Sequence, residues 1–99
     1  MLYQFIGSDE SKLELYENKV VLHHAKLLPF ESPKVTEIML SSITAIEVRK
    51  KSLLTSGYIS ILFSGGRPDD NVVFFKGNKK HEEALFVKSR IESLINSKR

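Results

Sequence analysis

The periodicity of apolar residues changes once along the chain, at Gly77 and Asn78. Before this point, short segments alternate apolar and polar residues, which is the period of two that a half-buried β-strand needs. From Lys79 onward, apolar residues recur at the spacing of an α-helix. The chain therefore predicts an α+β fold, in which a meander of antiparallel strands is followed by one amphipathic helix.

Six segments carry the strand pattern, and a seventh near the N terminus is the candidate to complete the sheet. The six are 12–17, 19–26, 35–40, 43–51, 57–63 and 71–76, and the seventh is 2–6. Two prolines within 27–34 predict a loop, because proline cannot donate to a strand ladder. Short antiparallel strands of this kind predict a sheet that folds over itself or closes into a barrel.

Two local details of the strands follow from residue type and alternation. Glu17 and Asn18 predict a hairpin turn, with Asn18 the residue that takes a positive φ. Within 43–51, alternation predicts that Thr44, Ile46 and Val48 face the core and that the residues between them face solvent.

The helix is predicted over residues 79–96, with Asn78 as its N-cap. At 100° per residue, five apolar side chains fall on one side of this helix: Ala84, Val87, Ile91, Leu94 and Ile95. This stripe is expected to cover the open side of the sheets.

Composition narrows the class of protein without naming a function. A chain of 99 residues is expected to form one domain, spanning 1–99, with one modest core. The net charge of +3 is basic, but the charges are scattered, so net charge alone does not decide for or against a nucleic-acid partner. There is no cysteine, which excludes disulfides and thiolate metal sites, and the first residues lack the pattern of an export signal. The cytoplasm is the expected location.

Four stretches together resemble the small bacterial pleckstrin-homology-like (PH-like) domains of unknown function. They are 12–24, 38–51, 57–63 and 70–95, so the likeness covers nearly the whole chain. The resemblance implies a bent antiparallel barrel or sandwich of six to seven strands, capped by the C-terminal helix. It implies no catalytic activity and no cofactor. Eukaryotic relatives that bind phosphoinositides carry basic residues around the first hairpin turn, whereas this turn is Glu17-Asn18, so that activity is not carried over.

The stretch GGRPDD, residues 65–70, is the segment most like a chemical motif. A phosphate-binding loop normally opens a helix, whereas this stretch leads into a strand and Pro68 removes one N–H. The stretch also lacks the ligand spacing of a calcium loop. We interpret it as a hairpin loop with Arg67 in solvent.

Residues suited to catalysis or metal binding are not grouped in the sequence. His23 and His24 are neighbours in a strand, so their side chains point to opposite faces and are not expected to bind one ion. One is expected to point inward with a hydrogen bond, and the other outward. No serine lies in a nucleophile elbow. We therefore expect no metal site and no enzyme.

Three groups of residues are candidates for contact with a partner. Arg49, Lys50 and Lys51 precede Leu53 and Leu54, and these five suit an anionic membrane surface; the alternative is a solvated strand end with the leucines folded onto the core.

A second basic group lies at the start of the helix, where cations oppose the helix dipole. It consists of Lys76, Lys79, Lys80 and His81. The third group is Leu85 and Phe86, because Phe86 lies opposite the centre of the apolar stripe and suggests protein contact.

The sequence thus predicts a non-catalytic interaction module. Its first expected partner is another protein, or a second copy of itself, at a sheet edge or on the outer face of the helix. The alternative is a peripheral membrane adaptor that binds anionic headgroups. A weaker alternative is nucleic-acid binding through the scattered lysines.

Overall fold

The computed structural model describes residues 1–25, 30, 32, 34–50, 56–65 and 71–97, which form two antiparallel sheets and one helix. The larger sheet contains, in spatial order, β1 (Tyr3–Ile6), β2 (Lys12–Leu15), β3 (Lys19–His23) and β4 (Val35–Met39). A one-turn 3-10 helix, Leu40–Ser42, leads to the smaller sheet of β5 (Ile43–Arg49), β6 (Gly57–Phe63) and β7 (Val72–Phe75). The chain then forms α1 (Asn78–Ser97). The predicted α+β class is confirmed, and so is the seventh strand.

The two sheets remain separate, so the barrel alternative is not realised. Among the described residues, no ladder joins β4 to β5 or β7 to β1. One backbone hydrogen bond links the two sheets beside β1 and β7: the Ser8 N–H donates to the Phe74 carbonyl over 3.0 Å. The 3-10 turn redirects the chain between the sheets, and both inner faces enclose one core.

The core is built from the inward positions of both sheets and from the helix stripe. Phe5 and Phe75 are fully buried and meet edge to face, with ring centroids 5.9 Å apart. The helix contributes three buried residues, Ala84, Val87 and Ile91, while Leu94 and Ile95 pack at its margin. Burial of each large apolar side chain contributes about 1.5–3 kcal/mol, so the helix is held mainly by packing. The predicted stripe is confirmed.

The facing of β5 differs from the prediction at Thr44. Ile46 is buried and Val48 is partly buried against the core, but Thr44 is exposed. The register shifts between Ile43 and Ala45, which is a β-bulge that turns Ile43 toward the core instead. The Thr44 hydroxyl then donates to the Leu62 carbonyl over 3.1 Å.

The hairpin between β2 and β3 forms as predicted, but Asn18 does not take a positive φ. Tyr16 N–H donates to the Lys19 carbonyl over 2.9 Å, which closes the turn. Glu10, at φ 72°, is the one non-glycine residue with positive φ in the described part of the chain. The Asn18 carbonyl instead accepts a bond from Leu40 N–H over 3.0 Å, which ties the turn to the 3-10 helix.

The helix starts one residue earlier than predicted. Its first hydrogen bond runs from His81 N–H to the Gly77 carbonyl over 3.1 Å, so Gly77 rather than Asn78 holds the N-cap position. Gly77 has φ 94°, a conformation that glycine adopts without steric cost. The chain can therefore turn from β7 directly into α1.

Candidate functional site

The outer face of the larger sheet carries several charged side chains among exposed apolar ones, and these charged side chains are paired with one another. Glu14 lies 2.7 Å from His23 Nε2 and 3.9 Å from Lys12 Nζ. Lys19 Nζ lies 2.7 Å from the Glu37 carboxylate. The Glu14–His23 and Lys19–Glu37 pairs join neighbouring strands, whereas Lys12 and Glu14 lie on the same strand, so these charges are paired within the sheet itself. They leave little free charge there for a partner.

Glu14 gives this face a predictable dependence on pH. The hydrogen bond from His23 is the main cause that lowers the pKa of Glu14, and the Lys12 charge adds to it, while burial opposes it. A lowered pKa in the folded state stabilises the protein above the unfolded value of about 4.3, and this stability is lost as pH falls through the folded pKa. We expect urea unfolding to show a gap between the wild type and Glu14→Gln at neutral pH that closes below about pH 4. A gap independent of pH would contradict the role of the Glu14 charge.

The two neighbouring histidines bond to different partners. His23 lies on the outer face against Glu14, whereas His24 Nε2 lies 2.8 Å from the Thr36 hydroxyl. Both are half-buried. No three histidine, aspartate or glutamate side chains of the described residues group as a metal site would require.

The outer face of the smaller sheet is aromatic rather than ion-paired. Register places Arg49 opposite Tyr58, and Tyr58 opposite Phe74, in one row across the three strands. The two rings meet edge to face with centroids 6.3 Å apart, and Phe74 is 43% exposed. The Tyr58 hydroxyl donates to the Glu47 carboxylate over 2.8 Å. The contact between Tyr58 and Phe74 was not predicted from the sequence, because it depends on the register of β6 and β7.

Two of the five predicted membrane-contact residues are described. Arg49 and Lys50 are exposed, while Lys51, Leu53 and Leu54 lie outside the described residues. That interpretation therefore stays a prediction. The residues of the stretch GGRPDD that follow Gly65 also lie outside the described residues, so the loop interpretation stays a prediction. The strands on either side, β6 and β7, pair antiparallel, as a hairpin requires.

The second basic group is divided between solvent and the protein itself. Lys76 and Lys79 are exposed. Lys80 is half-buried, with Nζ 5.1 Å from the centre of the Phe5 ring and 3.5 Å from Glu83. Lys80 is therefore engaged within the fold, and the cations left for a partner are Lys76 and Lys79.

The predicted contact residues on the helix are exposed. Leu85 is 45% exposed and Phe86 is 49% exposed. Phe86 is not isolated, because its ring lies 5.3 Å from that of Tyr3. Burial, followed by the nearby Glu83 carboxylate, raises the pKa of Tyr3, so the phenol stays protonated as a hydrogen-bond donor. Tyr3 and Phe86 thus form one aromatic surface beside β1.

A groove runs between β5 and the C-terminal half of α1. Its volume is about 350 Å³. It is lined by Ile43, Thr44, Ala45 and Ile46 from the strand, and by Glu92, Ile95 and Asn96 from the helix. The sequence missed this groove because it depends on how two distant segments pack. We call it the edge groove.

The edge groove borders β5, whose edge away from β6 has no paired strand within the described part of the chain. Ile61 N–H donates to the Asn71 carbonyl over 3.0 Å, so the backbone groups of Ile61 point toward β7. Ile61 pairs with Ile46 and Ile59 pairs with Val48. Because antiparallel pairs alternate between bonded and non-bonded, Ile46 and Val48 point their backbone groups away from β6. Among the described residues, no backbone group hydrogen-bonds to Ile46 or Val48 on this side of β5.

No family model, curated protein or solved structure matches the chain. Within the described residues, no helix combines the length and apolar character that crossing a bilayer requires.

Proposed function

We propose that the chain is a non-catalytic, PH-like interaction module that binds an extended segment of another protein along β5. Support for the PH-like assignment comes from the order of elements, in which four strands form one sheet, three form the other and a helix follows. Support for the binding mode comes from one observation. Among the described residues, the backbone edge of β5 away from β6 is unpaired and borders the edge groove, so an added strand finds hydrogen bonds and a place for its side chains together.

The lining of the edge groove suits a peptide strand. Ile43 and Ile95 lie partly buried on its apolar side, while Glu92 and Asn96 are exposed at its rim. Main-chain hydrogen bonds would supply affinity, and the alternate side chains of the peptide would supply specificity. The exposed Glu92 favours a peptide with a basic residue on the side that faces α1. A second copy of the chain could supply the same strand, and the experiment below separates the two partners.

Strand addition predicts a distinct pattern of amide hydrogen exchange. Peptides selected from a random displayed library against the domain would be synthesised and added to the 15N-labelled protein. We expect the amides of Ile46 and Val48 to become protected on binding, whereas the Glu47 amide, bonded to β6 already, changes little. Protection of Ile46 and Val48 that appears without peptide, together with a dimer in sedimentation equilibrium, would make a second copy the partner.

Two tryptophan substitutions on α1 give the matched test. Asn96→Trp fills the edge groove and is expected to weaken peptide binding by roughly tenfold or more, about 1.4 kcal/mol. Ser93→Trp adds the same side chain at an exposed position that does not line the groove, and is expected to bind normally. Peptides that bind both variants equally, with no protection at Ile46, would refute strand addition.

A peripheral membrane role is the second candidate function. The position of the exposed cations supports it. Arg49 and Lys50 end β5 at the same end of the sheet where Lys76 leaves β7, because Arg49 pairs with Tyr58 at the start of β6. Such a cluster could meet anionic headgroups. Co-sedimentation with anionic vesicles that weakens with salt and disappears on charge reversal of Arg49 and Lys50 would support this role. Absence of binding at low salt would remove it.

A further inference from the structure

The outer face of the smaller sheet contains a second concave surface, separate from the edge groove. Its volume is about 370 Å³, and it is lined by Arg49, Ser56, Tyr58 and Phe74. We call it the aromatic groove. We propose that it binds a peptide segment in which an aromatic side chain stands beside a carboxylate. This inference goes beyond strand addition, since the groove lies on a sheet face and uses no backbone edge.

The aromatic part of the groove is held in place before any ligand arrives. Tyr58 is fixed at its hydroxyl by Glu47 and at its ring by Phe74. Neighbouring strands are about 4.8 Å apart, so the row from Arg49 to Phe74 spans about 10 Å, which suits one or two side chains. An aromatic ligand ring can pack on Phe74 in the edge-to-face or offset geometry that such pairs prefer.

The charge at the groove calls for an acid in the ligand. Arg49 is exposed and forms no ion pair with the described residues. Glu47, two residues before Arg49 on the same strand, accepts a hydrogen bond from the Tyr58 hydroxyl. Glu47 is also the one acidic residue in the three strands of this sheet, and the exposed Lys50 and Lys76 lie at the same end. A guanidinium that has no acidic partner among the described residues and lies beside an apolar surface is suited to bind a carboxylate through two parallel hydrogen bonds.

The shape and the position of Glu47 favour a peptide over a membrane at this groove. A flat anionic surface that reached Arg49 would also bring its headgroups against the exposed Glu47 carboxylate. A single side-chain carboxylate avoids Glu47 by approaching Arg49 from the side of Phe74. The rings line a concavity, which receives an inserted side chain, and small apolar sites of this volume lie within the usual range of ligand pockets.

The test uses blocked dipeptides and the whole chain. Acetyl-Phe-Asp-amide, titrated into the 15N-labelled protein, is expected to shift the signals of Tyr58, Phe74 and the Arg49 side chain, with saturation on the order of millimolar. Acetyl-Phe-Asn-amide is expected to bind up to about fivefold more weakly, because it lacks the charge that pairs with Arg49. Arg49→Gln should remove that difference between the dipeptides, and Phe74→Ala should weaken both by about fivefold or more.

Matched variants and vesicles decide between the outcomes. Arg90→Gln and Phe30→Ala remove an exposed arginine and an exposed phenylalanine outside the groove, and both are expected to bind like the wild type. The proposal is overturned if neither dipeptide shifts the groove signals, or if the two dipeptides bind the wild type equally. It is also overturned if neither dipeptide binds, the wild type binds vesicles of phosphatidylcholine and phosphatidylserine, and Arg49→Gln and Phe74→Ala abolish that vesicle binding.

Discussion

Phe75→Ala is expected to remove about 3–5 kcal/mol from the free energy of unfolding, measured by urea denaturation. Phe75 is fully buried, its ring meets Phe5 edge to face at 5.9 Å, and His81 lies 6.1 Å away. Alanine therefore leaves a cavity between β1, β7 and the start of α1. A domain of ordinary stability has about 5–15 kcal/mol in total, so the loss would bring the chain close to unfolding at 37 °C.

The adjacent Phe74→Ala is the control, because it removes the same atoms from the opposite face. Phe74 is 43% exposed and packs mainly on Tyr58. We expect its loss to cost about 1 kcal/mol, the worth of one aromatic pair. Equal losses for the two variants would contradict the assignment of the β7 faces on which the core and the aromatic groove both depend.

The sequence predicted well the features that depend on local alternation of apolar and polar residues. In β5, Ile46 and Val48 face the core, as a period of two requires. The helix stripe of Ala84, Val87 and Ile91 follows in the same way from a period of 3.6. These patterns repeat over several residues, so one exception does not hide them.

The local details that the sequence predicted wrongly depend on single residues and their distant neighbours. The bulge at Thr44 shifts the register by one residue, and neither the alternation of apolar residues nor the residue type at this position predicts it. Asn18 tolerates positive φ, but the turn does not need it. Gly77 rather than Asn78 is the N-cap because of the backbone conformation at Gly77. Glycine permits this conformation but does not require it, so residue type alone did not predict the N-cap.

The candidate sites were less predictable because they are non-local. Alternation placed Arg49 on the solvent side of its strand, but only the register of β5, β6 and β7 brings it into one row with Tyr58 and Phe74. The edge groove joins Thr44 to Asn96, and their proximity depends on how α1 docks beside β5. A single sequence contains the residues of both grooves without the pairing that brings them together.

Contact between the two sheets depends on the absence of a side chain at Gly7. A Cβ there would lie 2.5 Å from the Phe74 carbonyl oxygen and 2.8 Å from Val73 Cγ1, which is closer than atoms can pack. The Phe74 carbonyl also accepts the bond from Ser8 N–H. Gly7→Ala must therefore push the end of β1 away from β7 and lengthen or break that bond.

We expect Gly7→Ala to lower the free energy of unfolding by about 2–4 kcal/mol, the sum of overpacking and one weakened hydrogen bond. The Ser8 amide should also exchange faster with solvent. Ser8→Ala is the control: its side chain is exposed and its N–H is retained, so a change within about 0.5 kcal/mol is expected. Because Phe74 lies on both this contact and the aromatic groove, Gly7→Ala should shift the Phe74 signal as well. Wild-type stability and an unchanged Ser8 amide in Gly7→Ala would mean that the two sheets are not clamped at this point.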